Sequence, residues 1–260
     1  MKVLLSLLAV LLVAVIGFVG LTLYKKSAPP PVSSSVQQKI AVAAINGPSD
    51  PVKVPDALLQ AIERNKDTIA WIQIPDTDIN NSVVQAKDNL YYERRNEAQE
   101  YEVYGCYFAD YECSLGEPST LKPNTIIYGH SSPGDDPNGK RFSQLFRFTD
   151  IEFAKKHPCI FINTVDGRLA FEIFSIFYTD INFDYIQVNI KDDEMLKIAN
   201  KGVELSIYDY PNKPVEGDKI LTLSTCTEKF GTDGNHRFVI QAKLLKDGAL
   251  EPDNMEITAK

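Results

Sequence analysis

The stretch Lys219-Ile220-Leu221-Thr222-Leu223-Ser224-Thr225-Cys226 sets the first expectation for the fold of this chain. Most of its residues are apolar or β-branched, which is typical of a strand. A polar loop follows, and a second run of strand-forming residues begins at Arg237-Phe238-Val239-Ile240. Cys226 is therefore predicted to lie where one strand ends, and Arg237 where the next begins.

A cysteine beside a fixed cation is typical of a thiolate nucleophile, because a nearby positive charge favours the reactive thiolate. His130 ends the run Asn124-Thr125-Ile126-Ile127-Tyr128-Gly129-His130, which also predicts a strand that stops at a polar loop. Cys226, His130 and Arg237 are then expected to converge on one rim of a β-barrel. A buried strand-end cysteine and a surface arginine remain the plainer interpretation of the same spacing.

The other two histidines are weaker candidates for a catalytic base. His157 lies in Lys155-Lys156-His157-Pro158, which predicts a solvated helix end, and His236 adjoins Arg237. Glu228 follows Cys226 closely and is expected to be a solvated loop residue rather than a third catalytic group.

Strand patterns separated by turn residues dominate from Trp71 onward, as in an all-β barrel. The predicted strands lie near Trp71–Ile74, Ser82–Gln85, Cys106–Ala109, Thr125–Tyr128, Cys159–Asn163, Arg168–Tyr178, Lys219–Thr225 and Arg237–Leu245. Helices are predicted from Pro55-Asp56 through Ile69, at Phe142–Phe146 and at Asp192–Lys201.

The amino-terminal segment from Val3 to Tyr24 carries no charged residue. It is long enough to span a bilayer, which takes about 20 apolar residues. A cleavable signal peptide is the alternative, but Pro29 after Ser27-Ala28 is a poor context for cleavage. We therefore predict a membrane anchor at residues 1–26, a Pro/Ser-rich linker at 27–50 and a folded domain at 51–260.

The formal net charge of −8 argues against a nucleic-acid groove. A disulfide between Cys106 and Cys113 is one possibility, whereas Cys159 lies in an apolar run and is expected to be buried.

No His/Cys cluster has the spacing of metal ligands. The run from Asp135 to Gly139 lacks the closing glutamate of a calcium loop and predicts a solvated turn. No cofactor or metal is expected.

The run Thr222-Leu223-Ser224-Thr225-Cys226, the arginine on the next strand and Tyr128-Gly129-His130 resemble the sortases, the cysteine transpeptidases of Gram-positive cell surfaces. Further stretches resemble class B: Trp71–Pro75 with Val83–Gln85, Asp88–Tyr92, and the insert from Asn182 to Gly217. The resemblance covers nearly the whole chain from about Val54 onward. It implies an eight-stranded sortase-type β-barrel with N-terminal helices and a helix-containing insert before the cysteine strand.

The resemblance also implies roles for individual residues. Cys226 would attack the carbonyl carbon of a threonine in a C-terminal sorting signal, His130 would protonate the leaving amine, and Arg237 would stabilise the oxyanion or hold the substrate backbone. The implied substrate-binding residues are Tyr128, Ser224, Thr225, Tyr185, Ile186 and Asn89. Family members often have leucine where this chain has Glu93, so the sequence of the sorting signal is not predicted.

The implied partners are surface proteins or pilins that bear a sorting signal, together with an amine acceptor on a cell-wall precursor or a pilin lysine. The implied location is the cell membrane, with a single span and the catalytic domain outside the cell. Two alternatives remain. A secreted Cys/His thiol protease gives no reason for the anchor, and a non-catalytic surface-binding barrel predicts that Cys226 resists alkylation.

Overall fold

The structure is a computed structural model that describes residues 55–246 and 249–260. The anchor predicted at residues 1–26 and the linker predicted at 27–50 lie outside the described residues, and both stay predictions. Within the described ranges, no helix has the length and apolar character that crossing a membrane requires.

Ten strands make up the β-structure of the described chain. They are β1 (Thr68–Gln73), β2 (Asn80–Val84), β3 (Tyr107–Ala109), β4 (Asn124–Tyr128), β5 (Cys159–Thr164), β6 (Gly167–Asp180), β7 (Tyr208–Asp209), β8 (Ile220–Cys226), β9 (His236–Leu244) and β10 (Thr258–Ala259). Eight of them close into a barrel in the order β1-β2-β3-β4-β8-β9-β6-β5, while β7 and β10 pair separately. The eight barrel strands are those that the sequence predicts, so the prediction of a mainly β, eight-stranded barrel is confirmed.

Three α-helices accompany the barrel: α1 (Asp56–Arg64), α2 (Ile151–Lys156) and α3 (Asp192–Leu205). Three 3₁₀ helices cover Pro118–Thr120, Pro133–Asp135 and Arg141–Thr149. The prediction that the first helix reaches Ile69 is wrong, because α1 ends at Arg64 and Ile69 lies in β1. The side chain of Asn65 accepts a hydrogen bond from the Asp67 amide at 3.0 Å, a local turn that competes with helix continuation.

The strand that carries Cys226 is buried on both faces. Leu223 of β8 and Ile240 of β9 belong to the core inside the barrel. On the outer face, Ile220 of β8 packs against Met195 and Ala199 of α3. Since α3 lies in the segment between β6 and β8, a helix-containing insert precedes the cysteine strand and covers its outer face.

His157 does not match the prediction of a solvated side chain. It caps the end of α2 as expected, but it is buried, with its ring stacked on Phe153 at 3.9 Å between centroids. Its Nε2 lies 2.9 Å from Asp76 Oδ2, and its Nδ1 lies 2.8 Å from the Phe153 carbonyl oxygen. These partners satisfy both ring nitrogens within the protein.

The three cysteines other than Cys226 are free and buried. The disulfide left open between Cys106 and Cys113 does not form in this structure. Cys113 Sγ instead accepts a hydrogen bond from the Ile126 amide at 3.2 Å. Burial raises the pKa of the Cys113 and Cys159 thiols to about 12, so neither forms a thiolate readily.

Candidate active site

Strand register aligns the three predicted catalytic residues. β4 runs parallel to β8 and pairs Tyr128 with Ser224, and β9 runs antiparallel to β8 and pairs Arg237 with Cys226. Side chains two residues apart on a strand share one face. Cys226 follows Ser224 by two residues within β8, whereas His130 follows Tyr128 by two residues just beyond the end of β4. The register therefore places Cys226 and Arg237 side by side at the rim, with His130 at the end of the neighbouring strand.

One groove brings together all nine residues that the sequence predicts for the site. These are Asn89, Tyr128, His130, Tyr185, Ile186, Ser224, Thr225, Cys226 and Arg237. The remaining lining residues are Glu93, Phe108, Gly129, Ile181, Phe183 and Asp184. The groove holds about 320 Å³, which lies within the range of ligand sites. All nine residues therefore line the same groove, while the role of each one stays a prediction.

Cys226 is the one cysteine of the described chain whose side chain is exposed. Its carbonyl oxygen accepts a hydrogen bond from Ser131 Oγ at 2.8 Å, which ties the end of β8 to the loop after β4. No hydrogen bond joins its thiol to His130 or Arg237 among the described residues. Catalytic contacts are often long in a protein without substrate and shorten when it binds.

The imidazole of His130 is oriented by a backbone carbonyl. Its Nε2 lies 2.7 Å from the carbonyl oxygen of Glu93. A carbonyl only accepts hydrogen bonds, so Nε2 carries the proton and Nδ1 is the nitrogen left for chemistry. Burial lowers the pKa of His130 below its usual 6.5, partly opposed by the Glu93 hydrogen bond and reinforced by the charge of Arg94. The ring is therefore neutral near pH 7.

The carbonyl of Glu93 is held by tight packing of its own loop. Gly105 has φ +51°, and a Cβ at this position would lie 2.6 Å from the carbonyl oxygens of both Glu93 and Tyr92. Only glycine allows the chain to pass this close. The Tyr92 hydroxyl donates to Asp67 Oδ2 at 2.7 Å and accepts from Asn65 Nδ2 at 2.8 Å. These contacts fix the segment that orients His130.

Arg237 keeps part of its guanidinium free. Its Nη1 donates to the carbonyl oxygens of Gly234 at 2.7 Å and His236 at 3.0 Å, and no carboxylate pairs with it among the described residues. Neither Nε nor Nη2 has a hydrogen-bond partner there. The side chain is half-buried and lines the groove with Cys226. An uncompensated arginine of this kind can bind developing negative charge.

His236 is not among the residues that line the groove. Its Nδ1 lies 3.4 Å from Asp233 Oδ1 without making a hydrogen bond, and its ring contacts Phe230. Of the two histidines near Cys226 in the fold, His130 is therefore the one with access to the groove.

Asn124, at the start of β4, holds the insert against the groove. The Asn124 side chain is fully buried and donates to the carbonyl oxygens of Tyr185 and Gln187, each at 3.0 Å. Its Oδ1 accepts from Thr222 Oγ1 at 2.8 Å. The Tyr185 hydroxyl in turn lies 2.7 Å from Ser224 Oγ. These bonds attach the insert to β4 and β8.

Asp110 joins two of the predicted substrate-binding residues. Its Oδ2 accepts hydrogen bonds from Tyr128 Oη at 2.9 Å and from Asn89 Nδ2 at 2.7 Å. Burial raises the pKa of Tyr128, and the charge of Asp110 adds to the effect, so this hydroxyl stays protonated and donates. Asn89 and Tyr128 thus form the groove wall as a connected pair.

Comparison with known proteins identifies the family. The family model described as the sortase domain matches residues 72–245. The chain is 34% identical over 212 residues to Sortase B of Listeria monocytogenes, a match that covers 79% of this chain and 78% of that protein. The chain belongs to the class B sortases.

Further relatives agree with this assignment. Sortase B of Staphylococcus aureus is 28% identical to this sortase over 183 residues, covering 70% of this chain and 72% of that protein. The solved Staphylococcus aureus sortase B–substrate complex matches with a TM-score of 0.66 and 25% identity, over 82% of this chain and 94% of that one. Sortases are cysteine transpeptidases, so this chain is an enzyme of that class. Neither of the two alternatives drawn from the residues finds support among these relatives.

The turn predicted at Asp135–Gly139 has a structural role in this sortase. Asp135 accepts hydrogen bonds from Thr227 and Glu228, which lie just after Cys226. Within the described ranges, no group of three or more His, Cys, Asp or Glu side chains is arranged to hold a metal ion.

Several groups that support the groove or hold the loops beside it were missed in the sequence. They are the Glu93 carbonyl, Asp110, Asn124, Ser131 and Asp135. Only Asn124 offered a signal, because an amide at the start of an apolar strand run calls for buried partners. The others act through backbone atoms or across loops that are distant in sequence.

Proposed function

We propose that this sortase cleaves a C-terminal sorting signal after threonine and transfers the protein to an amine. The observation that carries the proposal is the exposed Cys226 thiol, aligned with His130 and Arg237 in a single groove. In this arrangement a nucleophile, a proton carrier and an oxyanion donor share access to one substrate carbonyl.

In the first step, Cys226 Sγ attacks the threonine carbonyl carbon while the thiol proton moves to His130. The neutral imidazole accepts this proton at Nδ1, because Nε2 already donates to the Glu93 carbonyl. The carbonyl π-electrons move to its oxygen, which becomes an oxyanion. The free N–H groups of Arg237 stabilise this charge by hydrogen bonds.

The tetrahedral intermediate then collapses. The C–N bond breaks, and the leaving amine takes the proton that His130 has just received. The product is a thioester between the threonine acyl group and Cys226. A histidine with a lowered pKa suits this step, because it gives its proton up readily.

In the second half-reaction, an incoming amine attacks the thioester carbonyl. His130 Nδ1 accepts a proton from the amine, the C–S bond breaks, and the thiolate recovers the proton from His130. The new bond is an amide. We infer that the acceptor is an amine of a cell-wall precursor or a pilin lysine, and that the donor is a surface protein or pilin.

The proposed substrate path runs along the groove. Tyr185 and Ile186 of the insert would cover the bound peptide, and Ile186 is 44% exposed and therefore free to contact it. On the opposite wall Asn89 and Tyr128 are held by Asp110, which supports a preformed surface. Ser224 and Thr225 would lie beneath the peptide next to Cys226.

We also propose that residues 1–26 anchor the enzyme in the cell membrane, with the catalytic domain outside the cell. Support comes from the uncharged stretch between Val3 and Tyr24. A tethered enzyme would meet substrates and acceptor amines that are themselves at the membrane surface.

A ligation experiment tests the proposed reaction. The protein is mixed with a peptide library built around a central threonine, with and without triglycine as the amine, and products are read by mass spectrometry. We expect a threonine–glycine amide product and a thioester mass on the protein. Cys226→Ala should form neither, while keeping its fold. Release of peptide acid alone, even with excess amine, would indicate a protease and contradict transpeptidation.

A further inference from the structure

Two loops meet beside Cys226 and His130. The loop after β4 carries His130 and continues through Asp135, and the loop after β8 begins at Thr227. The last backbone bond of the β4–β8 ladder runs from the Gly129 amide to the Ser224 carbonyl at 3.3 Å. Both His130 and Cys226 lie beyond this bond, so the β4–β8 pairing alone does not fix their separation.

Asp135 reaches from the first loop into the second. Its Oδ2 accepts from Thr227 Oγ1 at 2.5 Å, and its Oδ1 accepts from the Glu228 amide at 2.9 Å. Asp135 has φ +53° and follows Gly134 at φ +74°. Glycine adopts a positive φ without cost, whereas a positive φ is uncommon for other residues, so contacts of the Asp135 side chain help to hold this conformation.

The second loop returns the contact. Glu228 Oε2 accepts from the Gly134 amide at 2.6 Å. Ser131 Oγ donates to the Cys226 carbonyl at 2.8 Å. Four hydrogen bonds therefore join the two loops, and we call this set the loop clasp. Its Asp135, Thr227 and Glu228 side chains do not line the substrate groove.

Each of the two loops also makes hydrogen bonds to other parts of the fold. The Phe142 amide donates to the His130 carbonyl at 2.9 Å, and the Glu93 carbonyl orients the ring. On the other side, the Thr227 amide donates to the His236 carbonyl at 3.2 Å. The clasp is what links these two sides beyond the end of the ladder.

We propose that Asp135 is a positioning residue, which through the loop clasp sets the separation of Cys226 Sγ and His130 Nδ1. This inference rests on the proposed function, since it assigns Asp135 to the proton transfer between these two atoms. Proton transfer requires a hydrogen-bond distance, and a misplacement of about 1 Å can cost on the order of 100-fold in rate.

The test compares Asp135→Ala with Asp135→Asn and with Asp136→Ala. Asparagine can still accept from the Glu228 amide and donate to Thr227 Oγ1, whereas alanine can do neither. Asp136 is a matched control, because it is an exposed neighbour of the same charge. Among the described residues its side chain accepts a hydrogen bond only from the Asn138 amide, within its own loop. Steady-state transpeptidation with saturating amine gives kcat and KM for each variant.

We expect Asp135→Ala to lower kcat on the order of 100-fold with KM nearly unchanged, because the clasp lies outside the groove. Asp135→Asn should recover most of kcat. The rate at which iodoacetamide alkylates Cys226 should rank the variants in the same order as kcat. This rate reports the reactivity of the Cys226 thiolate in the absence of substrate. A kcat for Asp135→Ala equal to that of Asp136→Ala would overturn the inference, and so would an asparagine variant as slow as the alanine variant.

Two further measurements separate the possible failures. Cys226→Ala is assayed in parallel, and activity in this variant would refute the proposed function whatever the clasp does. Thermal unfolding is followed for every variant. If Asp135→Ala does not fold, Thr227→Val replaces it, since this change removes one clasp bond at a buried position of similar volume. Wild-type kcat in a folded Thr227→Val would then overturn the inference.

Discussion

At the scale of single residues, the chemistry of this sortase depends on which polar atoms remain free. His130 uses Nε2 for the Glu93 carbonyl and keeps Nδ1 available, and Arg237 uses Nη1 for two backbone carbonyls and keeps its other donors. Residue types and strand ends were enough to predict Cys226, His130 and Arg237 as neighbours. The Glu93 carbonyl could not be predicted, because any residue supplies a carbonyl and only the fold determines where it points.

The lowered pKa of His130 predicts the acid limb of the pH–rate profile. If the neutral ring accepts the thiol proton, kcat/KM falls when His130 becomes protonated in the free enzyme. Burial disfavours the charged ring, so this protonation occurs at lower pH than for an ordinary histidine. We expect the acid limb of kcat/KM below pH 6.5, measured by peptide ligation in buffers of constant ionic strength. An acid limb at or above pH 6.5 would show that a different group controls the step.

Replacement of Arg237 tests oxyanion stabilisation. Arg237→Ala should lower kcat and kcat/KM together by about 100- to 1000-fold, the typical loss of one such donor, roughly 2.7–4 kcal/mol. Arg237→Lys should recover part of the rate, because a point charge cannot reproduce the planar fork. Arg168→Ala is the control, since Arg168 pairs with Glu251 at the surface at 2.7 Å and does not line the groove. Steady-state ligation is measured for all three, with circular dichroism to check folding. A folded Arg237→Ala no slower than Arg168→Ala would remove Arg237 from the reaction.

At the scale of secondary-structure elements, runs of apolar and β-branched residues separated by turn residues predicted all eight barrel strands. The boundaries were less predictable, and α3 shows why. The predicted helix stopped at Lys201, while α3 continues through Gly202 to Leu205. Glycine is unfavourable inside a helix, but a Cβ at Gly202 would lie 2.3 Å from Gln241 Oε1 on β9. Close packing against the barrel therefore determines this residue, and local helix propensity does not show it.

The loop around Gly105 should matter for both stability and activity. Gly105→Ala places a side chain at φ +51° and against the Glu93 and Tyr92 carbonyl oxygens. The backbone conformation costs about 1–3 kcal/mol, and the steric overlap adds about as much again. The Glu93 carbonyl must move, so the orientation of His130 is lost and kcat falls as well.

Gly217→Ala provides the matched control for this prediction. Gly217 has φ +88° with no atom near the position of an added Cβ, so alanine there carries the backbone cost alone. Urea unfolding and steady-state ligation are measured for both variants. Equal losses of stability, with kcat unchanged in Gly105→Ala, would mean that the Glu93 carbonyl does not depend on this close packing.

At the scale of the whole molecule, closure of the barrel accounts for the location of the site. Antiparallel pairing of β8 with β9 places Cys226 beside Arg237, and parallel pairing of β4 with β8 brings His130, which is far from both in sequence, to the same rim. Strand patterns and the TLSTC run predicted this arrangement, because each candidate residue falls at a strand end. The loop clasp and the contacts of Asn124 link segments about 60 to 100 residues apart. A local pattern indicates that Asn124 needs buried partners, but it does not show which distant segments supply them.

Removal of residues 1–26 tests the membrane anchor. The uncharged stretch from Val3 to Tyr24 lies in this segment, and no helix of the described residues is long and apolar enough to span a bilayer. We expect the full chain to enter the detergent phase in Triton X-114 partitioning, and the truncated chain to stay in the aqueous phase as a monomer. The segment carries Lys2, Lys25 and Lys26 but no acidic residue. The truncated chain therefore has a net charge more negative than the −8 of the whole chain, which favours solubility. Ligation of a free peptide should continue at the full-length rate, since the groove residues are all retained. A truncated chain that still partitions into detergent would show that the membrane contact lies elsewhere.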